Sequence, residues 1–108
     1  MRVFPCPYLK TEVELSEDRE SHVATTHPDL LPEYQSQMEQ TLAEPSEVRR
    51  STRMNAARLF SRWFDDVRHG KFVVVVVVSE IAPTMRNWII TAYMARRLAE
   101  GEIEWKKD

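Results

Sequence analysis

Six consecutive valines, Val73–Val78, follow Phe72 near the middle of the chain. Valine is branched at Cβ, so its χ1 is stiff; it suits a pleated strand and is penalised in a helix. An apolar run without polar alternation needs cover on both faces, as in the interior of a sheet. At seven residues, Phe72–Val78 is far short of the roughly 20 needed to cross a bilayer as a helix. The run is therefore read as a central strand, with function to be sought on the pieces around it.

The flanking sequence supplies neighbours. Ala56–Phe64 alternates, with Arg58, Phe60, Arg62 and Phe64 on one face and Ala57, Leu59, Ser61 and Trp63 on the other. Asn87–Met94 alternates too, and Asp65–Lys71, with Gly70, reads as the turn between the first of these and the valines. The valine strand is thus expected between them. Weaker strands are expected at Glu47–Ser51 and Ile103–Trp105, and a short helical turn at Ala95–Glu100.

Upstream, Leu9, Thr11, Val13 and Leu15 alternate with charged residues and predict a half-buried strand. Ser16 is a suitable N-cap for a helix over Glu17–Thr26, with carboxylates in its first turn. Pro28 ends that helix. A second helix is expected from about Asp29–Pro32, carrying Leu31, Tyr34, Met38 and Leu42 on one face and ending by Pro45. Residues 1–7, with two prolines, read as a leader or cap, and residues 8–108 as one domain. Helices early and a strand meander later predict an α+β fold: an N-terminal strand and two helices packed on a four-stranded antiparallel sheet.

Cys6 is the single cysteine, which rules out an internal disulfide. With no apolar leader segment, this points to a cytoplasmic protein, without a membrane partner. Charge is uneven. Glu12, Glu14, Glu17, Asp18 and Glu20 lie early, whereas Arg49, Arg50, Arg53, Arg58 and Arg62 lie in the middle. The basic stretch is either a solvated mixed face or a phosphate-binding surface. His22 and His27, five apart, do not share one helix face and have no ligand spacing for a metal, so neither metal nor cofactor is expected. His69 falls in the charged turn. No nucleophile elbow, P-loop or dinucleotide fingerprint is present.

The order of short motifs carries a resemblance. S-E-D-R-E-S-H-V-A-T-T-H-P-D at Ser16–Asp29 is followed by E-P-S-E-V at Glu44–Val48 and L-F-S-R at Leu59–Arg62. The valine strand, I-T-A-Y at Ile90–Tyr93 and G-E-I-E-W at Gly101–Trp105 complete it. The chain thereby resembles the phage-type nuclease domains of the barnase–EndoU–colicin–RelE superfamily. The resemblance implies metal-independent cleavage of RNA, in a toxin of a toxin–antitoxin pair or a phage-derived effector. It implies catalytic roles for His22, His27, Arg62, Thr91 and Tyr93. The chain departs at Thr26, where relatives commonly carry an arginine.

Such chemistry needs a base for the 2′-hydroxyl, an acid for the leaving 5′-oxygen and a cation for the phosphorane. Imidazole exchanges protons near neutral pH, and arginine is the fitting cation. Arg49, Arg50, Arg53 and Arg58 are the candidates for holding nucleic acid. The alternative is a binding or structural module that keeps the fold without catalysis. Three tryptophans beside apolar strands also admit a protein partner or a homodimer.

Overall fold

The computed structural model describes residues 1–81, 83–98 and 101–108. It is an α+β structure in which two helices lie on one face of a sheet. The strands are β1 (Arg2–Cys6), β2 (Thr11–Leu15), β3 (Glu47–Arg50), β4 (Ala57–Phe64), β5 (Lys71–Glu80), β6 (Arg86–Ala95) and β7 (Glu102–Lys106). The helices are α1 (Glu17–Thr26) and α2 (Gln35–Ala43).

The valine strand β5 is central. It pairs antiparallel with β4 on one side and with β6 on the other, as its unbroken apolar sequence requires. The sheet is larger than the expected four antiparallel strands. It has seven, in the order β1-β2-β6-β5-β4-β3-β7, and the β2–β6 pairing is parallel. Three additions account for the difference: β2 joins the sheet through β6, and β1 and β7 form its two edges. Residues 2–6 are a strand rather than a cap: Phe4 and Cys6 are buried, and β1 pairs antiparallel with β2 along its whole length. Pro5 is tolerated there because β1 is an edge strand. At the opposite edge β7 pairs with β3 across a register shift.

Alternation along β5 sorts its valines between the two faces. Val73, Val75 and Val77 join Phe60, Val13, Leu15 and Ile89 beneath the helices, where Val23, Met38 and Leu42 complete the core. Val74, Val76 and Val78 face the other way, with Ala57 and Leu59. Among the described residues no helix covers that face. It is closed in part by Phe72, Trp88, Ile90 and Tyr93 from the sheet itself and by Leu98 from the connection after β6.

α1 begins and ends where the sequence indicates. Ser16 accepts a hydrogen bond from the Arg19 N–H (3.2 Å), and His27 is the C-cap. α2 starts later than expected, at Gln35, because residues 28–34 form turns that already bury Leu30 and Leu31. Ala95 ends β6 and Arg96–Arg97 form a bend, not the start of a helical turn; Ala99 and Glu100 lie outside the described residues.

Glycine is needed at both turns that carry one. A Cβ on Gly70 (φ +99°) would sit 2.6 Å from the Trp63 ring. One on Gly101 (φ +90°) would meet the Arg50 carbonyl oxygen at 2.7 Å, so the chain passes tightly over β3 before entering β7.

A candidate functional site at the seam between α1 and β6

β2 meets β6 only at the Glu14–Trp88 bridge, leaving the second half of β6 without a strand on its outer side. α1 fills that place. The Arg19 guanidinium donates to the Ile90 carbonyl (3.3 Å), satisfying part of the open edge, and Val23 anchors the helix in the core. His22 lies three residues after Arg19, on the same side of α1, and is half-buried. At the end of the helix the His27 ring packs on the Tyr93 ring, with centroids 6.0 Å apart and planes tilted by 40°.

Strand irregularity shapes the other half of the seam. Val76 opposes Thr91 while Val77 opposes Ile89, so Ile90 is the extra residue of a β-bulge. Thr91 and Tyr93 oppose Val76 and Val74, placing both on the face that the helices leave uncovered. Tyr93 therefore has His27 on one side and the open face on the other. His27 and Tyr93 meet at this seam; His22 stands five residues before His27 on α1, and Thr91 two residues before Tyr93 on β6. Thr26, where the resemblance leads one to look for an arginine, donates its hydroxyl to the His22 carbonyl (2.7 Å) instead.

Arg62 is not part of this group. It opposes Val73 and so points to the helix side, two strands away from Tyr93 and on the other face. Its guanidinium donates to the Glu44 carbonyl at the end of α2 (2.9 Å) and lies 5.4 Å from the Phe64 ring centroid. A cation at a helix C-terminus satisfies a free carbonyl and offsets the helix dipole. The position thus has a complete structural reason.

The four other arginines do not form one surface. Arg50 and Arg58 are directly opposed on β3 and β4, where like charges repel. Glu104 of β7 bridges them, accepting from Arg58 Nε at 2.7 Å and Arg50 Nη2 at 2.8 Å, and Tyr8 donates its hydroxyl to the same carboxylate (3.1 Å). Burial pushes the Glu104 carboxyl up, but the hydrogen bonds from Arg58 and Arg50 outweigh it and leave the group below its ordinary range. Burial raises the Tyr8 phenol, and its bond to Glu104 raises it further. Arg49 faces the uncovered side, pairing with Glu47 (2.7 Å) and donating to the Leu98 carbonyl. Arg53 sits in the exposed loop between β3 and β4.

Sequence reasoning missed Arg19, Tyr8 and Glu104. Arg19 had a local signal, its spacing of three from His22. Tyr8 and Glu104 had none, since 96 residues separate them. Among the described residues no group of three or more His, Cys, Asp or Glu side chains is placed to hold a metal ion. No helix among them is long and apolar enough to cross a membrane.

Comparisons of the chain with models of known protein families, with curated proteins and with solved structures find no match.

Proposed function

We propose that the protein acts on RNA at the α1–β6 seam, as a metal-independent endoribonuclease. The reading rests chiefly on one observation: the His27–Tyr93 contact, with His22 on the same helix and Thr91 on the same strand. Two imidazoles on one helix can supply the base and the acid that cleavage of a phosphodiester requires, and His27 stands against the Tyr93 phenol. One histidine takes the 2′-hydroxyl proton as that oxygen attacks phosphorus. The other protonates the 5′-oxygen as the P–O5′ bond breaks, leaving a 2′,3′-cyclic phosphate and a free 5′-hydroxyl. Thr91 and Tyr93 position the phosphate. With Arg62 committed to α2, the cation we assign is Arg97, which lines a small cleft with Tyr93. A toxin restrained by a protein antitoxin, working in the cytoplasm, is the setting we propose for such an activity.

A second reading, a binding module without catalysis, is favoured by the arginines. Arg50, Arg58 and Arg62 are all engaged within the chain.

Incubation of purified protein with RNA in EDTA separates the two. Under the first reading the parent generates cyclic-phosphate ends, His22→Ala and His27→Ala lose on the order of 100-fold in rate, and Arg62→Ala keeps its activity once folded. Intact RNA after prolonged incubation with the parent would leave the second reading.

A further inference from the structure

A groove of about 210 Å³ opens on the uncovered face directly beside the seam. Its floor is Leu59, Val76 and Ile90, and Tyr93 is one wall. Met54 and Arg53, from the loop between β3 and β4, form the opposite rim. That loop is held in place. The buried Ser51 hydroxyl accepts from the backbone N–H groups of both Arg53 (3.1 Å) and Met54 (3.2 Å), and the Ala57 N–H donates to the Met54 carbonyl (2.9 Å). Met54 is nonetheless 48% exposed. Next to the groove, sharing Leu59 and Tyr93 with it, a narrow cleft adds Arg49 and Arg97. Glu47 is the carboxylate paired with Arg49 there.

An apolar slot with an aromatic wall, one guanidinium on its rim (Arg53) and two more in the adjoining cleft (Arg49 and Arg97) fits a ligand that is planar and apolar at its centre and anionic at its margin. An unpaired nucleobase on its phosphate backbone has that chemistry, and a base within a duplex cannot present its face to such a slot. We infer that the groove holds one unpaired base of a single-stranded RNA, between Tyr93 and Met54, next to the seam where the phosphate is cut. Tyr93 is then the shared wall that sets the register between the held base and the histidines. This inference rests on the reading of the protein as RNA-directed, and it adds the strand state and the subsite.

The test compares two strands of equal length at one salt concentration, in EDTA, by fluorescence anisotropy. One is a single-stranded RNA and the other an abasic strand with the same phosphates. His22→Ala is used so that the RNA stays intact. The base-bearing strand is expected to bind about tenfold tighter, the scale of one stacked base. Met54→Glu should bring that ratio close to one, while Met54→Leu keeps it; because the ratio is taken within each variant, general repulsion of phosphate cancels. Equal affinity for the two strands in the parent would overturn the groove and leave the cleavage reading standing if cyclic-phosphate ends are still made. Base-selective binding without cleavage would keep the groove and remove the catalysis. Binding of an extended apolar peptide at Met54, with no RNA binding, would overturn the inference.

Discussion

Val75 and Val76 are adjacent in β5 and carry the same side chain, but they meet different surroundings. Val75 lies beneath the helices with no exposure, among Phe60, Met38 and Ala92 in the larger core. Val76 is 8% exposed and forms the floor of the groove on the uncovered face. One face of the sheet is thus built for folding. The other is less completely covered, and a groove opens on it beside Tyr93. The same division separates the arginines. Arg50, Arg58 and Arg62 on the helix side are bound into the fold; on the uncovered side Arg53 borders the groove, and Arg49, paired with Glu47, lines the adjoining cleft.

The difference can be broken by substitution. Val75→Asp should unfold the protein, because a carboxylate without a partner in the helix-covered core costs several kcal/mol against a total stability of about 5–15 kcal/mol. Val76→Asp should be milder, about 1–3 kcal/mol, since its carboxylate can reach water through the groove. Urea denaturation of the two variants decides it; equal losses would mean that the uncovered face is core as well.

Glu104→Gln should cost about 1–2 kcal/mol by leaving Arg50 and Arg58 opposed without a counter-charge. The acid dependence has a definite sign. The Glu104 carboxyl is lowered in the fold, so its contribution is present above the ordinary glutamate value of 4.5 and is lost as pH falls through the folded value. Thermal melts from pH 6 to about pH 3 should therefore fall more steeply for the parent than for Glu104→Gln.

Arg62→Ala should cost about 1 kcal/mol or less through the end of α2, with no change in RNA cleavage per folded molecule. A large loss of rate at unchanged melting temperature would return Arg62 to the site. The smallest stability effect belongs to the seam. Tyr93→Phe should change the unfolding free energy by about 0.5 kcal/mol while slowing cleavage.

Much of this division was legible locally and little of it globally. The valine run, the Ser16 cap and the alternation of β4 and β6 depend on neighbours a few residues away. They placed β5 between its two partners. Alternation also put Arg58 and Arg62 on one face of β4. It could not say that this face lies under the helices, since that depends on register across strands. Nor could it pair β1 with β2, because Pro5 and Pro7 read as strand breakers until the strand is known to be an edge. β7 was visible as a short apolar alternation, but its place beside β3, and hence the Glu104 bridge, follows from a long-range crossover. For the candidate site, only the resemblance grouped His22, His27, Arg62, Thr91 and Tyr93; spacing alone left each of them a structural role. The separation of Arg62 from the other four was hidden by the same lack of register.

We propose that the protein engages RNA through the α1–β6 seam and the uncovered face, and not through its arginine-rich helix side. Amide chemical shifts of ¹⁵N-labelled His22→Ala protein, followed during titration with a short single-stranded RNA in EDTA, test it most directly. The account predicts that the shifts concentrate at His27, Thr91, Tyr93 and Met54, with Arg58 and Glu104 unmoved. Shifts centred on Arg50, Arg58 and Glu104, or none at any residue, would contradict it.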